Sequence, residues 1–442
     1  MAFDSEVLSD RLQTLTGDES PSRWLVAYSG GIDSAVLLHS LVFADTGIPV
    51  LAIHVDHGLH PDSGHWATHA KQFANELGVE FINMMVVVQN KAKLGLEAAA
   101  REARYRALSV VVEADDWLLS GHHENDQAET LLLNLMRGSG PAGLAGIGAC
   151  FPFERGVIAR PMLGVSGDDI EAYARKHDVD WIDDPSNNDS SFDRNFVRRD
   201  VMPLLNSRWP AVTSRLRQSA TLAGEAGVLL SELADIDIAT CGHADRLSLV
   251  EMNELSPARQ RNLLRRAAQQ CGLPSPPATR LYQTIDELIP ARGDAQPIVT
   301  WRGGEFRRYR GRLYVLSPLG AVPSDPEGLL ETEGSPVILG KRLGSVRLVS
   351  AGMAGVDPVV AEQGLAIRFR AGGEALRIAE RGATRKLKNL LQEAQVLPWM
   401  RNRIPLLFAA DQLVAVGDLW ISAGHRSNDG LSVEWSNKPA II

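Results

Sequence analysis

The sequence predicts an α/β protein: a doubly wound, mostly parallel sheet at the N-terminus, a mainly helical middle domain and a small α+β domain at the C-terminus. Three observations carry this. Up to about residue 200, short apolar runs alternate with helical stretches, the signature of βα units. Beyond Trp209-Pro210 the chain turns helix-forming, and from about Pro336 strand-like pieces surround a single helix. The 442 residues are also several times a typical ~150-residue domain. We place the domains at residues 1–208, 209–320 and 336–442.

In order along the chain, residues 24–28 read as the first strand and 35–44 as the helix after it. Residues 50–55 are the second strand, 65–77 a helix and 80–88 the third strand. A helix over 96–112 leads to a buried strand at 116–120, then to a helix over 123–136 that carries Leu131, Leu132 and Leu135. Five glycines and Pro141 within residues 138–148 predict a loop. Helices follow at 212–233 and 257–270. Residues 297–316 alternate like strands, whereas 318–336, rich in Pro, Gly and acids, reads as a linker. In the last domain residues 337–339, 346–349, 406–408 and 413–416 are strand-like, and the helix lies near 385–393.

Composition narrows the function. With 45% hydrophobic and 22% charged residues, the chain is neither disordered nor fibrous. Apolar runs such as 81–88 fall far short of the ~20 residues that span a bilayer, so no membrane association is expected. Residues 1–10 carry Asp4, Glu6 and Asp10 with no basic start or apolar stretch, which predicts no secretory signal and a cytoplasmic location. Cys150, Cys241 and Cys271 are widely spaced and read as three reduced thiols. A net charge of −9 weighs against nonspecific coating of nucleic acid. Residues 374–403, however, hold seven Lys/Arg against three acids, a local basic surface.

The most informative segment is Ser29-Gly30-Gly31-Ile32-Asp33-Ser34, between a strand and a helix. The glycines let the backbone turn tightly, and the amides of the helix start with the hydroxyls of Ser29 and Ser34 offer donors to phosphate oxygens. No Lys follows, so this is no Walker A loop. A carboxylate at Asp33 would repel phosphates unless it caps the helix or meets a Mg²⁺ shared with them; both roles stay open. The competing reading is an ordinary strand-to-helix turn.

Ser29 to Ser34 resembles the signature of the ATP-pyrophosphatase (PP-loop) family, whose fold is Rossmann-like. Within it, the chain resembles the tRNA(Ile)-lysidine synthetase family, in its long bacterial form. The resemblance rests on Ile53-His54-Val55-Asp56-His57-Gly58-Leu59, on Gly95-Leu96-Glu97-Ala98 with Arg101-Glu102-Ala103-Arg104-Tyr105, and on Gly121-His122-His123-Glu124-Asn125-Asp126-Gln127-Ala128-Glu129-Thr130. It continues through Arg137-Gly138-Ser139-Gly140-Pro141, Asp184-Pro185-Ser186-Asn187 with Arg194-Asn195, and Arg385-Lys386-Leu387-Lys388 with Pro398-Trp399-Met400-Arg401. One departure is Asn125, where many members have a second Asp.

The resemblance implies a two-step ligation on the wobble cytidine of an isoleucine tRNA with anticodon CAU. The base is adenylated at its C2 oxygen by ATP, and the ε-amine of free lysine then displaces AMP, which changes codon reading from AUG to AUA. ATP would lie on Ser29, Gly30, Gly31, Ile32, Asp33 and Ser34, with Val55 against adenine, Mg²⁺ on Asp33 and Arg104 at the phosphates. Asp126 is the candidate carboxylate for the lysine ammonium or its proton, four residues after His122 at a strand-to-helix corner, with Glu129 one turn on. Its competing role is charge complementarity at a helix start. His122 and His123 fit hydrogen bonding better than zinc. Arg101 shares a helix face with Arg104 and contacts substrate or pairs with Glu97.

Asn187, Arg194, Asn195 and Arg198 hold RNA or substrate, or cap a helix. Arg385, Lys386, Lys388 and Arg401 form a tRNA surface, with Trp399 as a stacking or packing partner. Arg259, Arg261, Arg265 and Arg266 are a second basic cluster. The oligomeric state is left between monomer and homodimer. Two other enzyme readings compete: a tRNA thiolase, which would need paired cysteines, and a small-molecule amide ligase, which would not need the basic C-terminal domain. A non-catalytic nucleotide-binding module is the third, and it would have no use for Asp126.

Overall fold

In the computed structural model, residues 2–89, 95–185, 192–292, 295–332, 334–340, 342–362 and 364–441 are described. The chain divides into two compact units, Met1–Glu232 and Leu233–Ile442. The first opens with helix α1 (Ser5–Thr16), capped by Asp4, whose carboxylate accepts from the Val7 amide at 2.9 Å. There follow β1 (Arg23–Ala27), α2 (Ile32–Phe43), β2 (Val50–Asp56), α3 (Ser63–Glu76), β3 (Glu80–Met85), α4 (Leu96–Val111), β4 (Asp116–Leu119) and α5 (Glu124–Met136). A hairpin of β5 (Cys150–Phe153) and β6 (Gly156–Ala159) and helix α6 (Gly167–Lys176) come next. Every expected element up to α5 is present, with ends shifted by a few residues; α1, the hairpin and α6 were not foreseen.

The six strands form one sheet in the order β3-β2-β1-β4-β6-β5. All neighbours are parallel except the β5–β6 hairpin. Alternate side chains face opposite ways. Leu25, Leu51, Ile53, Leu118 and Ile158 bury against Leu108 of α4, while Trp24, Val26, Ala52, Trp117 and Leu119 pack with α1, α2, α3 and α6. Both faces are covered, which is why these strands read as unbroken apolar runs. Because β2 and β4 flank β1, the strand order reverses there, and the turns leaving β1 and β4 open a crevice at the carboxyl edge of the sheet.

The turns that follow are fastened from α5. Gln127 donates to the carbonyls of Ala145 and Ile147 and accepts from the Ile147 amide at 2.6 Å, and Asn134 donates to Gly143 O at 2.8 Å. The glycine-rich stretch therefore contains a short helix, Pro141–Leu144, which its composition hid. Beyond it a helical stretch runs through Asp193–Phe196, a π turn Val197–Val201 and Met202–Arg208, and Val197 and Met202 pack on Ala128 of α5.

Helix Val212–Cys241 carries the chain into the second unit. There, helix Pro257–Gln270 packs Leu263, Leu264 and Ala267 on a five-stranded sheet that includes Ile298–Trp301, Gly304–Tyr309 and Arg312–Leu316. A further core surrounds helix Leu387–Glu393, with a five-stranded sheet and a three-stranded sheet built on the long strands Ser345–Val356 and Arg426–Ser436. The stretch read as a linker is corrected here: Leu329–Leu330 is a strand paired with Leu365–Arg368, and Leu330 is buried, so its two leucines outweigh the surrounding Pro and Gly. Among the described residues no helix is long and apolar enough to cross a membrane.

Candidate active site

The turn from β1 into α2 is closed by its own serines. The Ser29 amide donates to Ser34 Oγ at 3.1 Å, the two hydroxyls lie 3.0 Å apart, and Ser34 Oγ donates to Gly31 O at 2.9 Å. Gly30 has φ +89°, and a Cβ there would stand 2.7 Å from Ile182 Cδ1. Glycine is thus required by conformation, and a Cβ would also oblige the Ile182 side chain to shift. The same residue accepts from the Ile182 amide at 2.9 Å. At the neighbouring corner, a Cβ on Gly121 would meet the Asp33 carbonyl at 3.0 Å, so the β4 turn lies directly on the start of α2.

Asp33 does not cap its helix. The cap position is Gly31, with no side-chain bond, which removes one of the two roles considered for this carboxylate. Its Oδ1 lies 3.5 Å from His123 Nε2. Burial pushes the Asp33 pKa upward, against the pull of His123 and with the push of Asp126.

Asp126 does act at a helix start. Its Oδ2 accepts from the His123 amide at 2.9 Å, in a capping box with the His123 ring, whose Nδ1 accepts from the Asn125 amide. Its other oxygen is paired: Oδ1 accepts from Arg194 Nη2 at 2.7 Å and Arg198 Nη2 at 3.1 Å. Glu129, buried one turn on, accepts from Arg194 Nε at 2.9 Å and from Arg198 Nε at 2.6 Å. Two carboxylates on one face of α5 therefore hold two guanidiniums from the 193–201 helical stretch. Burial alone would raise the Asp126 pKa, but His123, Arg194 and the amide bond hold it at about 2. Burial is the largest single influence on Arg198 and lowers its pKa, but its bonds to Glu129 with the charges of Glu129, Asp126 and Asp33 together move it up. Arg194 and Arg198 thus pair with Asp126 and Glu129, contacts that sequence spacing could not reveal across more than sixty residues.

At the carboxyl end of β2 the histidines divide. His54 is buried, with Nδ1 3.0 Å from Tyr28 O, and burial lowers its pKa. His57 is lowered to about 4 by burial and then by Arg104. Among the described residues no carboxylate pairs with Arg104, and burial lowers its pKa. Val55 is half-buried beside these groups. Arg101 lies over the Tyr105 ring at 4.9 Å; its alternative partner Glu97 has a side chain outside the described set, and Asn187 lies outside the described residues. His122 Nδ1 is 2.6 Å from Ser120 Oγ, and burial drives its pKa down to about 3. Among the described residues no group of three His, Cys, Asp or Glu is placed to hold a metal ion.

Three family profiles match the chain: a PP-loop domain over residues 5–205, a TilS substrate binding domain over 247–314 and a TilS substrate C-terminal domain over 365–435. The tRNA(Ile)-lysidine synthase of Alkalilimnicola ehrlichii is 40% identical over 400 residues, covering 90% of each chain. That of Xanthomonas campestris pv. campestris is 40% identical over 91% of this chain and 92% of its own, and that of Methylococcus capsulatus 38% over 94% and 96%. The chain belongs to the tRNA(Ile)-lysidine synthase family.

The basic residues expected to face RNA in such a synthase fall into two groups. Lys386 and Lys388 are exposed at the start of helix Leu387–Glu393, and Arg385 beside them pairs with Glu393. Arg401 instead turns inward, donating to Val396 O at 2.9 Å and Tyr309 Oη at 3.1 Å. Trp399 is a packing residue: it is buried, edge-on to Tyr309 and Tyr314, with Arg307 over its ring at 5.3 Å. Of the second cluster, Arg259 pairs with Asp237 and Arg266 with Asp235, so both tie helix 257–270 to helix 212–241. Arg261 lies over the exposed Tyr282 ring at 4.9 Å. The three cysteines are free.

Proposed function

We propose that this chain is an ATP-dependent ligase that joins lysine to C2 of the wobble cytidine of an isoleucine tRNA with anticodon CAU, releasing AMP and pyrophosphate. One observation supports this above the others. His123 Nε2 stands 3.5 Å from Asp33 of the phosphate-binding turn and 3.6 Å from Asp126 of the cation-binding pair, so one imidazole joins the two halves such a reaction needs. Adenylation requires aligned donors at the α-phosphate; the amides starting α2 supply them with Arg104, which pairs with no carboxylate among the described residues. The pyrophosphate leaves, and the C2 oxygen, now esterified to AMP, becomes a good leaving group. The lysine ε-amine, its ammonium proton lost to solvent, then attacks C2; the C2–O bond breaks, AMP departs with that oxygen, and the remaining excess proton on nitrogen passes to solvent.

The carboxylates of Asp126 and Glu129 already hold two organic cations, and a lysine ammonium is a third of the same kind. A carboxylate held at about 2 is a poor base near neutrality, which favours holding the ammonium over taking its proton. A Mg²⁺ carried by ATP needs only one or two protein carboxylates, and Asp33, uncapped and half-buried beside the turn, fits that need. When bound, the ion would neutralise charge on the phosphates. We further propose that residues 1–208 perform the chemistry and that 209–320 and 336–442 hold the tRNA, in a cytoplasmic enzyme.

The test is transfer of radiolabelled lysine to a CAU stem-loop in the presence of ATP. Label should appear in RNA with the native chain, and Asp126→Asn and Glu129→Gln should lose it while still binding a nonhydrolysable ATP analogue. Undiminished transfer by both variants would remove the assigned lysine site.

A further inference from the structure

At the outer end of the sheet, an aromatic and arginine cluster has no role in the chemistry above. On β5, period-two alternation puts Phe151 and Phe153 on the same face as Ile158, the face that α4 covers. Arg160, two residues after Ile158, returns to that face. Its guanidinium lies 4.9 Å from the Phe151 ring centre and donates to Gly148 O at 2.6 Å. Tyr105 meets the edge of Phe153 at 5.9 Å and carries Arg101 over its ring at 4.9 Å.

Three features separate this cluster from ordinary core. Phe151 is 40% exposed, although it lies on an edge strand with a buried arginine against it. Arg160 is 3% exposed and its Nε has no partner. Among the described residues neither Arg101 nor Arg160 pairs with a carboxylate. The cluster also lies next to the reacting centre: the Ser120 amide donates to Ala159 O at 3.0 Å, so Arg160 stands level with the Gly121-His122 corner, and the charges of Arg160 and Arg101 reach His122.

We propose that Phe151, backed by Arg160 and flanked by Tyr105 and Arg101, is a stacking platform for an unpaired nucleobase next to the one that reacts. A base offers a π-face to the open side of Phe151 and a phosphate to Arg101, whereas aromatics with guanidiniums that meet no carboxylate among the described residues offer an apolar or basic partner little. To modify one loop nucleotide, its neighbours must be held unstacked, and this platform lies two strands from the corner that would receive the target, with only β6 between. The inference rests on the tRNA-ligase reading.

The experiment uses the full chain and a CAU anticodon stem-loop with 2-aminopurine immediately 3′ of the wobble position. Stacking on an aromatic ring quenches 2-aminopurine fluorescence, so the native chain and Phe151→Trp should quench it. Phe151→Ala should abolish the quenching and weaken RNA binding by roughly tenfold, with the Michaelis constants for ATP and lysine unchanged. Wild-type quenching and affinity in Phe151→Ala would overturn the platform, as would equal losses for RNA and ATP together with a lowered melting temperature. Lysine transfer by the native chain keeps the ligase reading intact in those cases. A native chain that binds no RNA would overturn both.

Discussion

Replacing Asp126 by Asn keeps the shape of the side chain and removes its charge, so its effect on stability can be worked from the surroundings. The side chain is 10% exposed and meets Arg194, Arg198 and the His123 amide. Its pKa lies at about 2 against an ordinary 3.8. Each pH unit of that gap is worth about 1.4 kcal/mol, which gives roughly 2 kcal/mol of stability at neutral pH. The sign follows from the direction: the folded value is depressed, so the contribution is complete above the unfolded value and is lost as pH falls from about 4 to about 2. Urea unfolding of the native chain and Asp126→Asn at pH 7, 5 and 3 should show a gap of about 2 kcal/mol at the two higher values, narrowing at the lowest. A gap that stays constant with pH would refute the reasoning, because it would assign the cost to lost hydrogen-bond geometry; so would no gap at all.

Gly30→Ala should weaken ATP-analogue binding and lower the melting temperature, since φ +89° strains any residue with a Cβ and the Ile182 side chain would have to shift. Trp399→Ala should destabilise the second unit by about 3–5 kcal/mol, measured by denaturant unfolding, because the ring is buried between Tyr309, Tyr314 and Arg307. Lys386→Ala with Lys388→Ala should weaken tRNA binding and reduce the slope of log affinity against log salt by about 2, read from filter binding across salt concentrations. His122 is held neutral, with a pKa of about 3, so a pH profile of ligation between 5 and 8 should keep its shape in His122→Gln.

Much of the first unit was legible in the sequence because both faces of its sheet are covered: a strand buried on two sides leaves an unbroken apolar run, and β1, β2 and β4 are such strands. The β5–β6 hairpin escaped because it lies at the edge, where Phe151 and Pro152 are exposed and no run forms. Local motifs marked the Ser29–Ser34 turn and the helix start at Asp126, since a turn and a helix cap are determined by neighbours in sequence. What holds Asp126 was not readable: Arg194 and Arg198 arrive from a separate helical stretch, and only packing of Val197 and Met202 on Ala128 brings them there. The same limit applied to Arg401 and Trp399, whose basic and aromatic character suggested an RNA surface while their partners lie inside the second unit.

The central claim is that one site couples ATP cleavage to lysine addition at a wobble cytidine. Its most direct test is AMP release by the purified chain with ATP, Mg²⁺, lysine and an isoleucine tRNA transcript of anticodon CAU, set against the same transcript with U at the wobble position. The account predicts AMP in proportion to lysine joined to the CAU transcript and none above background with wobble U. AMP formed at the same rate without lysine and tRNA would contradict it and assign the phosphate turn to another acceptor.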